Sequence, residues 1–384
     1  MPSTVKVLVV IIILLGFHPV HAQEAGATLS PRTGHRVVYD SGNDRIILFG
    51  GNTVNHERVY YDDTWVLSLS ENIWTKLPVE GPSPRGGHAM AYSSDYNKVL
   101  LFGGVDPTGR LGDTWVFNCD TDTWTRVETD SSPEGRSDFD MTYDSHNVVF
   151  IMYGGWGRST GLQHDTWVFD LQENTWQKAE TGRDPGRMYG QALENDPDTG
   201  RTILYGGHLR SPTSREYIED IWFYDPQDST WVEANSTGRP TGRYWHAMAY
   251  SPEHARLVVF GGGYSEGARN ETWVYDLEEN SWSLAPGNGP PARLISDMVY
   301  VTGDDCFILF GGVNNSYHHF GDTWKLDPDT WEWSELEPDF RIEEVDAPQE
   351  EEFQVPGYPA AALVTGAAII VFLLRRRSND PFQL

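Results

Sequence analysis

The stretch Arg85–Val127, RGGHAMAYSSDYNKVLLFGGVDPTGRLGDTWVFNCDTDTWTRV, decides the fold of this chain. Four short runs within it carry strand-forming residues: His88–Tyr92, Lys98–Phe102, Thr114–Phe117 and Trp124–Val127. Polar turn formers fill Ser93–Asn97 and Asn118–Thr123. The stretch therefore predicts four antiparallel strands, A to D, with tight A–B and C–D turns. Gly103-Gly104 ends strand B, where glycine permits a positive φ or a close approach of neighbouring strands.

The same markers recur along the chain. Glycine pairs stand at Gly50-Gly51, Gly103-Gly104, Gly154-Gly155, Gly206-Gly207, Gly261-Gly262 and Gly311-Gly312, in steps of 53, 51, 52, 55 and 50 residues. An arginine precedes each pair by 18 residues, or 19 in the fourth: Arg32, Arg85, Arg136, Arg187, Arg243 and Arg293. After each pair comes an acidic residue two places before a tryptophan: Asp63, Asp113, Asp165, Asp220, Glu271 and Asp322. A second tryptophan follows nine residues after the first, at Trp74, Trp124, Trp176, Trp231, Trp282 and Trp333. One four-stranded sheet cannot bury both of its faces, so six of them are expected to stack around an axis.

This pattern resembles the kelch repeat, in the manner of the galactose oxidase central domain, over roughly Pro31–Leu336. The resemblance implies an all-β, six-bladed propeller with blades at about 31–80, 81–131, 132–182, 183–238, 239–288 and 289–337. It says little about activity. Because the chain enters at strand A and leaves after strand D, no blade need be shared between the ends. Closure is then expected to rest on side-chain packing between blades one and six.

Composition narrows the class of function. A formal net charge of −28 over 384 residues excludes a nucleic-acid phosphate backbone as the main partner. Cys119 and Cys306 are the only cysteines, too few for a disulfide framework or a cysteine zinc site. Both ends read as targeting segments. Met1–Ala22 has one lysine, an apolar run and small residues at its close, the pattern of a signal peptide. Residues 338–357 read as a self-repelling acidic stalk, since Glu335–Glu352 holds nine acidic residues against Arg341. The uncharged stretch 358–374 approaches the length of a membrane span, and the basic tail 375–384 should stay cytoplasmic. This end resembles archaeal surface-anchoring tails. The expected location is the cell surface, with a single C-terminal membrane anchor.

Six internal copies separate scaffold from site. What recurs in every copy serves every blade, so the six arginines and six acidic residues are expected to be structural ion pairs. What is unique to one copy is free to bind. The A–B and C–D turns share one face and are short and repetitive. The loops after the glycine pairs and the D-to-A links share the other, and long variable loops on a rigid face are where sites sit. Three tryptophans stand outside the repeat, and two of them, Trp156 and Trp245, fall on that loop-rich face around blade four. With Tyr189, Tyr244, His208 and Asp138 they make the candidate ligand-binding set, suited to a protein or a glycan. The competing reading is that these rings fill the central channel.

Catalytic constellations are weaker. Galactose-oxidase-like copper chemistry needs a Tyr–Cys pair near the axis, and neither cysteine is expected there. Sialic-acid mutarotases, which are exported kelch propellers, give the enzymatic alternative, requiring an arginine for the substrate carboxylate and a carboxylate for proton transfer. A nitrile-specifier iron motif fails at Tyr224, and His318-His319 reads as a solvated loop rather than a metal site. Asn235, Asn270 and Asn314 begin glycosylation sequons in exposed segments. No cofactor, metal or catalytic residue is expected.

Overall fold

A computed structural model describes residues 28–343, apart from 56, 211–214 and 265–266. Each repeat forms an antiparallel sheet in the order A-B-C-D, as in blade two with Ala89–Ser93, Lys98–Phe102, Thr114–Asn118 and Thr123–Val127. The six A strands contact one another in a closed cycle, which makes the six-bladed all-β propeller. Strand B is buried on both faces, as in Ile46–Phe49, because each sheet is covered by a blade on either side.

The repeated tryptophans lock neighbouring blades. Trp124, Trp176, Trp231 and Trp333 each donate an indole N–H to the threonine hydroxyl of the preceding blade (Thr64, Thr114, Thr166 and Thr272) at 2.9–3.0 Å. Trp74 closes the cycle onto Thr323 of blade six at 3.2 Å. The sixth bond is missing. Ile221 stands where blade four should supply threonine, and the buried Trp282 indole nitrogen has no partner among the described residues.

The axis is closed by a second cycle, made of backbone. Gly34, Gly87, Asp138, Gly190, Trp245 and Ile295 all have left-handed φ, from 55° to 71°. Each from Gly87 onward donates its N–H to the carbonyl of the residue before it in that series, at 2.7–2.9 Å, and Gly34 completes the ring onto Ile295 at 3.4 Å. Glycine meets this conformation freely at three positions. Asp138, Trp245 and Ile295 hold it against a steric cost of about 1–2 kcal/mol each.

Closure differs from the sequence expectation. Asp339–Ile342 forms a strand that pairs in parallel with Ile73–Lys76, the outer strand of blade one. Phe340 meets Trp65 edge-on. Asp339–Ile342 thus adds a fifth strand to blade one and covers an open sheet edge. The first residues assigned to an acidic stalk therefore belong to the propeller, because Phe340 and Ile342 alternate with charged residues in a strand pattern. The signal-peptide segment 1–22, the rest of the stalk and the segments 358–374 and 375–384 lie outside the described residues. Among the described residues no helix is long and apolar enough to cross a membrane.

Candidate functional site

Five of the six recurrent ion pairs form as the repeat requires: Arg32–Asp63, Arg85–Asp113, Arg136–Asp165, Arg243–Glu271 and Arg293–Asp322, at 2.6–3.0 Å. Each arginine is buried and also donates to the first glycine carbonyl of its pair. The carboxylate in turn accepts the indole N–H two residues on. Burial raises the cost of charge on Asp63, Asp113 and Asp165, but the paired guanidinium outweighs it and holds these carboxyls below their ordinary range.

Blade four breaks the pattern, correcting the expectation for Arg187 and Asp220. Arg187 is exposed and donates to the Leu162 carbonyl. Asp220 is tied instead to Ser236 and Arg239. The cause is the extra residue between Arg187 and Gly206-Gly207, which displaces the arginine from its place. Blade four also extends its two inner strands past the glycine pair, as Met188–Asp196 and Arg201–Arg210, so that Tyr189 pairs with His208 above the axial ring.

That extension assembles an aromatic cluster. Tyr189 lies 5.2–5.9 Å, ring centre to centre, from Trp156, His208, Tyr244 and Trp245. Tyr217 joins it, stacked on Tyr244 and edge-on to His208. The Arg110 guanidinium sits 5.3 Å over the Trp156 ring. Asp138 shares the axial ring with Trp245, and burial pushes its carboxyl up despite Ser137, Arg110 and the Trp245 indole. All six residues singled out in the sequence thus fall into one neighbourhood spanning blades three to five. His208 is buried, while Trp156, Tyr189, Tyr217, Tyr244 and Trp245 are half-buried. Trp245 and Asp138 also border the small cavity at the axial ring, but none of these rings lines the larger cavity on the opposite face. Tyr217 and Arg110, absent from the sequence expectation, lie in the variable loops after the glycine pairs, where nothing in the sequence sets them apart from their neighbours.

The channel opens on the opposite face, among the A–B turns, as a cavity of about 330 Å³. Its floor is Arg36, which reaches Asp140 of blade three at 3.2 Å and Asp297 of blade six at 3.3 Å. Arg36 also donates to the carbonyls of His88 and Phe139. Each aspartate accepts a backbone N–H from the next blade, Leu193 and Val37 respectively. Burial lifts Asp140 to about 6 against the pull of Arg36. Glu194 of blade four lines the same cavity. The copies contained a signal for this group: Arg36, Asp140 and Asp297 sit four residues after the repeat arginine, where blades two and five have alanine. The cluster is drawn from four blades.

A family model described as the KLHDC2/KLHL20/DRC7 Kelch-repeats domain matches residues 19–193 and 149–351. Among curated proteins, the flagellar outer-arm dynein alpha chain of Chlamydomonas reinhardtii is 27% identical over 78% of this chain and 7% of its own length. Adagio-like protein 3 of Oryza sativa subsp. japonica is 28% identical over 74% of this chain and 46% of its own. Kelch domain-containing protein 10 of Xenopus tropicalis is 26% identical over 66% of this chain and 65% of its own. The chain spans less than two thirds of the length of each of these relatives.

Proposed function

Because the chain belongs to the kelch-repeat family, we propose that it is a protein-interaction module which binds its partner through the aromatic face of blades three to five. The observation that carries this reading is the coincidence of two features on one blade. Blade four abandons the ion pair that every other blade makes, and the same blade raises Tyr189 and His208 into the aromatic cluster. Half-buried tryptophan and tyrosine offer large contact area at little entropic cost, which suits a protein hot spot. A relative named as a chain of the flagellar outer dynein arm is a part of a larger assembly, which fits the same use of the repeat. We further read the segments 1–22 and 358–384 as an export signal and an anchor, so that the partner is an extracellular protein, with a glycan as the alternative ligand.

The test compares the full chain with a Trp156→Ala/Tyr244→Ala double variant, both immobilised at equal density and matched in melting temperature. A protein retained by the native chain should fall by at least about tenfold on the variant. Equal retention on both would remove the aromatic face from the reading. Retention that vanishes after deglycosylation of the captured protein would move the ligand class from protein to glycan.

A further inference from the structure

We propose that the funnel on the A–B-turn face binds an alkylammonium group, from a free polyamine or a lysine side chain, with Glu194 as its counter-ion. This site lies on the face opposite the aromatic cluster and does not depend on it. Three observations meet there. The first is an inventory of charge. Arg36 is already shared between Asp140 and Asp297, and both aspartates are further held by backbone N–H groups. Those three residues complete one another. Glu194 is the remaining charged group lining the cavity, and among the described residues its carboxylate has neither an ion pair nor a side-chain hydrogen bond.

The second observation is the shape and lining of the approach. A volume of about 330 Å³ takes a slim aliphatic chain, at the lower end of ordinary ligand pockets. Tyr39, Tyr92, Tyr143, Tyr250 and Tyr300 line it nearer the turns, and aromatic faces favour a desolvated cation. The third is the field outside. The turns around the mouth carry Asp95, Asp196, Asp198, Asp304 and Asp305, which draw cations toward the opening and repel anions. An apolar ligand would leave Glu194 buried beside two other carboxyls. Among the described residues no group of three potential ligands is placed to hold a metal ion. An ammonium head on a narrow chain satisfies all three observations.

Proton linkage gives the site a signature. Burial, then Asp140 and Asp297, pushes the Glu194 carboxyl well above its ordinary range. The charged groups facing it are Arg36 from blade one, Asp140 from blade three and Asp297 from blade six. Blade five presents His246, kept neutral by burial, and blade two lines the cavity with Met90, Ala91, Tyr92 and Ser94, none of them charged. A cation seated against Glu194 favours its ionised form and releases whatever proton the carboxyl still holds.

The experiment is calorimetric titration of the full chain with spermidine at neutral pH and about 0.15 M salt, in two buffers of different ionisation enthalpy. Saturable binding is expected, and any proton released shows as a difference in heat between the two buffers. Glu194→Gln should weaken it by at least about tenfold. Glu278→Gln, an exposed change on a C–D turn of the same face, should leave it unchanged. A capped peptide with one lysine that competes with spermidine assigns the group to a protein side chain, and one that fails to compete assigns it to a free amine. The proposal is overturned by the absence of saturable binding or by equal affinity of the native chain and Glu194→Gln. Saturable binding is read on the native chain alone, so the test stands even if Glu194→Gln misfolds.

Discussion

At the scale of single residues, the position three after the repeat arginine shows how a buried group sets a condition on stability. His35, His88 and His246 occupy it in blades one, two and five, each edge-on to an aromatic ring of the preceding blade. Burial, with the neighbouring arginines adding to it, lowers His35 and His246 to about 3 and His88 well below its ordinary value. A folded-state value below the unfolded one means that the unfolded chain takes up the proton first as pH falls. The stability these residues contribute is therefore complete above the unfolded value of 6.5 and is lost progressively below it. At about pH 5.5 each such histidine withdraws about 1.4 kcal/mol. Blade three has Phe139 at the same place, which suggests the test. His246→Phe should reduce the loss of stability between about pH 7.5 and pH 5.5 by about 1.4 kcal/mol in urea unfolding. An unchanged pH dependence would show that His246 does not carry this share. The role of these histidines was not legible in the sequence, where a recurring histidine has no evident face. Only the packing shows that each ring is enclosed between blades.

At the scale of the blade, the six copies allowed most of the element structure to be read in advance, and blade four shows where such reading stops. In blade two the sequence places all four strands to within one residue, because glycine pairs and polar turns bound them on both sides. In blade four the same markers are present, yet one inserted residue moves Arg187 out of its ion pair and lengthens both inner strands. Spacing reported the insertion as 19 instead of 18, but spacing alone does not say which bond is lost. Two matched variants make the difference measurable. Arg85→Ala leaves Asp113 without its buried partner and should cost about 3–5 kcal/mol. Arg187→Ala removes an exposed side chain and should stay within about 0.5 kcal/mol. Equal costs in denaturant unfolding would return Arg187 to the scaffold. The closing strand Asp339–Ile342 was hidden for a different reason. Its four residues sit within an acidic run, and a parallel partner more than two hundred and fifty residues away leaves no local trace.

For the whole molecule, the propeller keeps its two faces chemically distinct while one closed backbone ring separates them. On one side stand the long loops and the aromatic cluster; on the other, acidic turns surround a funnel floored by Arg36, Asp140 and Asp297. The aromatic set was legible because its tryptophans exceed what six repeats need. The funnel was less so, since its residues belong to inner strands that are distant in sequence and meet only at the axis. Asp138 and Trp245 link the two descriptions, as members of the ring that also border the cluster. The central claim is that departures from the repeat in and around blade four form the binding face. Amide hydrogen exchange of the full chain, free and with its captured protein bound, tests it most directly. Protection should concentrate at Trp156, Tyr189, His208, Tyr217 and Tyr244, with the A–B turns and outer strands unchanged. Protection spread along the outer strands or confined to the A–B turns, with these five positions unaltered, would contradict it.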